Sequence, residues 1–166
     1  MNTVLIQWLV FLHILGVISF FLAHGTSAAM AFQIRKETDF ARIRAMLDLS
    51  MSTMYLMFVS FLVMGLTGII LPFLFRIWNR GYIWASIVLM LVSFAYMVMF
   101  NEKGYKHLRK LVGLPYMQGS KTLPAEAPAS AEEVAAQLKN INLTALVIVG
   151  YVIPAIVLWL MVFKPF

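Results

Sequence analysis

Four stretches of this chain carry no Asp, Glu, Lys or Arg: Met1–Ile34, Leu49–Phe75, Gly81–Asn101 and Asn140–Phe163. Each reaches the roughly 20 residues needed to cross a hydrocarbon layer about 30 Å thick. Backbone in lipid has no water to bond with, so its N–H and C=O groups must be satisfied within the segment. Each run is therefore expected to be a helix, with cores at Val4–Phe32, Met51–Phe73, Tyr82–Phe100 and Leu143–Phe163. Composition agrees. Hydrophobic residues make up 62% and charged residues 12%, against about half and about a quarter in soluble domains. A soluble fold of 166 residues has too little interior for so much apolar surface, so lipid serves as part of the solvent. The expected fold class is all-α, with residues 1–166 forming a single integral membrane domain, a four-helix transmembrane bundle.

The charges set an orientation. The net charge is +6, but the basic residues sit between apolar spans, which points to loops of a membrane protein and to no nucleic acid partner. The first connection holds Arg35, Lys36, Arg42 and Arg44, and the third holds Lys103, Lys106, Arg109, Lys110, Lys121 and Lys139. The opposite side has only Arg76, Arg80 and Lys164. The positive-inside rule places the first and third loops in the cytoplasm and both termini outside. Trp8, Trp78, Tyr82, Trp84 and Trp159 fall near the outer ends, where aromatic residues anchor at the interface. The N-terminus lacks the charged region and cleavage site of a signal peptide, so the first run reads as a retained helix. With no cysteine, the chain has no disulfide, thiolate metal site or redox thiol.

The connections differ. Arg35–Asp48 places Phe40, Ile43, Met46 and Leu47 at helical spacing, which predicts a continuation of the first helix or a short amphipathic surface helix. Leu114–Pro128 is rich in Pro, Ala, Gly and Ser and reads as a mobile segment. Ser130 and Glu133 form a capping box before a short helix leading into the fourth span.

His13 and His24 are the candidate functional residues. They lie 11 residues apart on one helix, so they share a face to within roughly 20° and stand about 16 Å apart, one in each leaflet. Gly16, Phe20, Ser27 and Ala31 lie on or near that face, and small residues there admit a close helix or a flat cofactor. An ionisable residue inside a membrane is by default a functional candidate. Imidazole can ligate haem iron or another metal, or relay protons; the plain alternative is a hydrogen bond between helices. Helices two to four contain no histidine, which excludes two bis-histidine haems within one chain. His107, after the third span, is the remaining histidine and would meet His24 if that helix continued.

Other features favour packing. The twelve methionines, among them Met51, Met54, Met57, Met64, Met90, Met97 and Met99, are expected mainly as flexible fillers of helix interfaces. Gly65, Thr67 and Gly68 form a small patch before Pro72, Gly150 and Pro154 are expected to bend helix four, and Ser60, Ser86 and Ser93 are expected to bond between helices.

The opening Trp8-Leu9-Val10-Phe11-Leu12-His13-Ile14-Leu15-Gly16 resembles the start of several small bacterial four-helix membrane families. It is similar to copper-resistance D-type domains and to HemJ-type protoporphyrinogen oxidases. The closing Met161-Val162-Phe163-Lys164-Pro165 resembles a related bacterial family of unknown function. The resemblance implies a bacterial cytoplasmic membrane location and a b-type haem held by His13. Three function classes follow. The first is a haem- or metal-binding protein using His13 and His24 in electron transfer or oxidation. The second is a non-catalytic subunit or scaffold of a larger membrane complex. The third is a small transporter acting as a homo-oligomer. No enzyme reaction is assigned.

Overall fold

The computed structural model describes residues 3–119 and 121–166. Met1, which opens the first charge-free stretch, and the side chain of Lys103, counted among the basic loop residues, lie outside what is described. Helix α1 spans Thr3–Ile34 and α2 Phe40–Phe75; α3 (Gly81–Asn101) runs through a π-helical turn at Glu102–Lys106 into α4 (His107–Leu111). Strands β1 (Tyr116–Gln118) and β2 (Lys121–Leu123) pair antiparallel, with Tyr116 opposite Leu123. Then come α5 (Ala131–Asn140), α6 (Leu143–Val147), a second π-helical turn at Ile148–Val152, and α7 (Ile153–Phe163). Four helical rods are long and apolar enough to cross a membrane: Thr3–Ile34, Phe40–Phe75, Gly81–Leu111 and Leu143–Phe163. The chain is the all-α four-helix transmembrane bundle its sequence predicts.

Three connections differ from expectation. Phe40, Ile43, Met46 and Leu47 extend the second helix, not the first. The reason is Asp39, whose Oδ1 accepts from Ala41 N at 2.8 Å and caps α2, while Glu37 accepts from the N–H groups of Thr38 and Asp39. The third helix continues past the expected Phe100 to Leu111. Within Leu114–Pro128, where composition suggests a mobile segment, the chain forms the β1–β2 hairpin. Gly113 and Gly119 supply the positive φ values its turns need. Ala129 N donates to Leu111 O at 2.8 Å and closes the excursion.

Within the membrane region the helices associate as two pairs. A Cβ on Gly16 of α1 would lie 3.0 Å from Met64 N and 3.2 Å from Ser60 O, so the α1 and α2 backbones are nearly in contact there. Ser27 and Thr53 hydroxyls bond at 2.8 Å further along, and Ser50 donates to Ser27. Such small and polar residues supply helix pairing where apolar burial cannot. The second pair is α3 with α7, joined through Tyr82, Ile83 and Leu160. Leu22, Leu66, Leu91 and Val162 are among the large apolar side chains exposed on the outside, as lipid contact requires. Among the described residues the α2 and α3 backbones seldom approach each other, although only residues 76–80 join them.

The end that carries the basic loops has a core like that of a soluble protein. Ile34, Ile43, Leu108, Val112, Val134 and Leu138 bury together there, drawn from α1, α2, α4 and α5. Arg44 Nε donates to Val112 O at 2.6 Å, and Arg35 Nη1 donates to Ile141 O at 3.0 Å. Truncating Ile43, which is 0% exposed, should cost about 2–5 kcal/mol by lost burial and a residual cavity. Ile18→Ala, on the lipid face, should change little. Melting of both variants in detergent checks this, and equal losses at both positions would refute a basic-end core.

Candidate functional site

The two intramembrane histidines share a helix but meet different neighbours. His13 faces α2. Its Nδ1 lies 3.0 Å from Met64 O and 3.0 Å from Thr67 Oγ1, and its Cε1 would be 3.1 Å from a Cβ on Gly68. The Thr67 hydroxyl donates to Val63 O at 2.6 Å. A proton on Nδ1 therefore bonds to the Met64 carbonyl or the Thr67 oxygen, and His13 serves as an interhelical clasp. Of the glycine patch on α2, Gly68 receives the imidazole, whereas Gly65 faces open space.

His24 points toward the fourth span. It is 5% exposed, stacks on Phe20 with rings parallel to within 3°, and lies 5.2 Å from the Tyr151 ring. Its Nε2 is buried and has no hydrogen-bond partner among the described residues. It borders a cavity of about 490 Å³, within the roughly 300–1,000 Å³ of small-molecule and cofactor sites. The walls are mostly Met and Phe, including Met54, Met57, Phe61, Met90, Phe94 and Met97. Ser93 lines the same cavity, and its Oγ is likewise buried without a partner. A buried polar group left unpaired costs about 1–3 kcal/mol, so two around one cavity make it the candidate site. The sequence leads one to expect a hydrogen bond between helices from Ser93, and among the described residues its Oγ makes none. Its serine neighbour in that reading, Ser86, bonds within its own helix, to Tyr82 O at 2.8 Å.

The fourth span is shaped around His24. A Cβ on Gly150 would fall 2.3 Å from His24 Nε2 and 3.0 Å from Met97 Cε, so only glycine leaves room for the ring. Pro154, four residues on, has no N–H to give the Gly150 carbonyl, and its ring would crowd that oxygen in a regular helix. The π-helical turn at Ile148–Val152 absorbs the conflict. The helix is thus irregular at the place where Gly150, Tyr151 and Pro154 lead one to expect a bend.

At its basic end the cavity is lined by Lys106, Arg109 and residues of the hairpin, among them Tyr116 and Thr122. Arg109 Nη1 is 2.9 Å from Asp48 Oδ1, and its Nε donates to Pro115 O at 3.0 Å, tying the start of the hairpin to the helices. Tyr116 donates its hydroxyl proton to Glu126, and Lys110 pairs with the same carboxylate at 3.5 Å. The bond from Tyr116 is the main cause holding the Glu126 carboxyl below its ordinary value, and it pushes the Tyr116 phenol up. His107 is exposed on α4 and does not line the cavity, although the third helix does continue to reach it. Among the described residues no three His, Asp or Glu side chains gather into a metal-binding group.

Two predictions follow from this geometry. Gly150→Ala should displace His24 and destabilise the protein by about 1–3 kcal/mol, as overpacking does. Adding His24→Ala should recover most of that loss, a coupling that a double-mutant melting cycle would detect; additive losses would mean that the two do not touch. The depressed Glu126 carboxyl also gives a pH dependence. The Tyr116–Glu126 anchor is fully present above the ordinary carboxylate range and is lost as pH falls through the lowered folded-state value. Protection of the hairpin amides, measured relative to their intrinsic exchange rates, should therefore fall on acidification through and below that range, and Glu126→Gln should remove the dependence.

Compared with family models, curated proteins and solved structures, the chain finds no match in any of the three.

Proposed function

We propose that this integral membrane protein holds a largely apolar redox group, b-type haem in the first instance, in the cavity between its two helix pairs, with His24 as the ligating side chain. The observation that carries the reading is the buried, unpartnered Nε2 of His24 beside an apolar space of cofactor size. Haem bound there would supply one-electron chemistry. His24 offers the lone pair of a neutral imidazole, the form that ligates metals. Phe20, stacked on its ring, fixes the orientation. Phe and Met walls keep water away, and Lys106 and Arg109 bring positive charge to the basic end, where the carboxylates of a haem would lie. The resemblance noted in the sequence implies His13 as the ligand. The contacts support His24 instead, because His13 is engaged with α2 and does not line the cavity. The distribution of Lys and Arg supports a cytoplasmic position for the basic end and outer positions for both termini, in a bacterial inner membrane.

One observation favours a second reading. Ser93 Oγ is unpaired in the same cavity, and a haem gives a hydroxyl there nothing to bond. A lipid-soluble molecule with a carbonyl, of the quinone type, would accept from Ser93 and engage His24 as well. A reduced-minus-oxidised visible spectrum of detergent-purified protein separates the two. With haem bound, wild type and His13→Ala show a b-type α-band, His24→Ala loses it, and Ser93→Ala keeps it. A colourless, folded wild type from haem-replete cells overturns the haem reading and leaves the carbonyl-bearing molecule.

A further inference from the structure

We infer that the cavity is loaded sideways from the bilayer, through a slot between α2 and α3, and that its occupant is a largely apolar small molecule dissolved in the membrane. The inference rests on the cavity being a binding site, but not on which redox group fills it.

The walls leave one side open. α1 is held against α2 by the close approach at Gly16 and by the His13 and Ser27 hydrogen bonds. α3 is held against α7 by Tyr82, Ile83 and Leu160. At the basic end the wall is the hairpin, with Tyr116 buried and Thr122 exposed. Between α2 and α3 the backbones stay apart among the described residues, and the side chains Phe61 and Phe94 meet across the gap. On the spanning helices, the residues that line the cavity and are also exposed are Met51 (43%) and Phe58 (49%) of α2 and Phe94 (37%) and Val98 (48%) of α3; Pro115 and Thr122, likewise exposed, line its basic end. These four lie on helices long and apolar enough to cross a membrane, so the opening between them is proposed to face lipid. Behind them His24 and Ser93 are each 5% exposed. The slot thus leads from hydrocarbon to two unpaired polar atoms.

Its lining suits passage. Phe61 of α2 and Phe94 of α3 stack across the gap with centroids 4.6 Å apart, the aromatic bridge between the two helices. Around them Met54, Met57, Met90 and Met97 are unbranched and can change rotamer without moving backbone. A lipid acyl chain would fill such a slot but would leave His24 and Ser93 unpaired. The occupant that answers all of the lining is a membrane-dissolved molecule carrying a group that engages these two side chains.

The absence of native cysteine makes a direct test available. Single variants Met57→Cys and Met90→Cys of the full chain are spin-labelled, reconstituted in liposomes, and probed with two relaxing agents. Oxygen partitions into lipid, and a neutral nickel chelate stays in water. The expected result is that oxygen accessibility at both sites exceeds nickel accessibility roughly tenfold, since water does not enter the hydrocarbon region. The label at an aqueous control, Glu132→Cys, should show the reverse. Phe94→Ala, which removes the bridge, should raise oxygen access at Met90→Cys further. Nickel access at the cavity sites would show that the cavity opens to water, and access by neither agent would show that it is closed; either overturns the slot. Met54→Cys on the same wall replaces any variant that does not fold. Because both probes are independent of colour, a colourless protein with open oxygen access refutes haem alone, and a coloured protein with a closed wall refutes the route alone.

Discussion

An apolar side chain inside a bilayer gains little by leaving lipid for a neighbouring helix, so helices pair where backbones can approach closely or polar groups can bond. This constraint sorts the contacts of the whole bundle. α1 and α2 have Gly16 against Met64 and Ser60, His13 against Met64 and Thr67, and Ser27 against Thr53. The facing sides of α2 and α3 offer Met and Phe, which are as content with lipid as with each other. α1 and α2 close on each other, whereas the α2 and α3 backbones stay apart. The cavity is the space that this difference in pairing leaves.

Several unusual local features stand around that space, though Trp78 Nε1 is also buried and unpaired at the other end of the bundle. Two buried polar atoms go unpaired there, one helix is interrupted by a π-helical turn, and the residue nearest the imidazole is a glycine. Each carries a cost. An unpaired buried group loses about 1–3 kcal/mol, and glycine inside a helix loses roughly 0.5–1 kcal/mol relative to alanine. Alanine in place of His24 and Ser93 would remove the unpaired groups. Departures from local rules that converge on one place are what a binding site looks like, and π-turns recur at such places.

The spans were legible because the bilayer imposes one requirement on every residue of a segment, and absence of charge over about 20 positions reports it. The irregularity before Pro154 was legible for a similar reason, since proline removes a specific hydrogen bond. The start of α2 was written in Asp39 but masked by the amphipathic run that follows, which suits either neighbouring helix. The two histidines could be placed on one face from their spacing, yet a face changes neighbours along its length. Near His13 it meets Met64 and Thr67 of α2; near His24 it meets Gly150 of the fourth span. Ser93 carries no local mark at all. Whether a hydroxyl bonds its own helix, as Ser86 does, or stands unpaired in a cavity depends on what lies opposite, and no pattern along one helix encodes that.

A cleft between weakly paired helices persists only if something else holds them, and both ends of this one are fastened. At the basic end, Ile43 and Leu47 of α2 bury with Leu108 and Val112, which follow α3, and Arg44 and Arg109 tie the same segments by hydrogen bond and ion pair. At the other end the short Arg76–Arg80 link limits separation, and Trp78 stands between Phe73 of α2 and Trp84 of α3, with centroid distances of 4.7 and 5.1 Å. The water-side contacts thus keep in place an intramembrane space that lipid-side packing would not. A molecule entering it meets walls already in position, so less of its binding energy goes into ordering the protein.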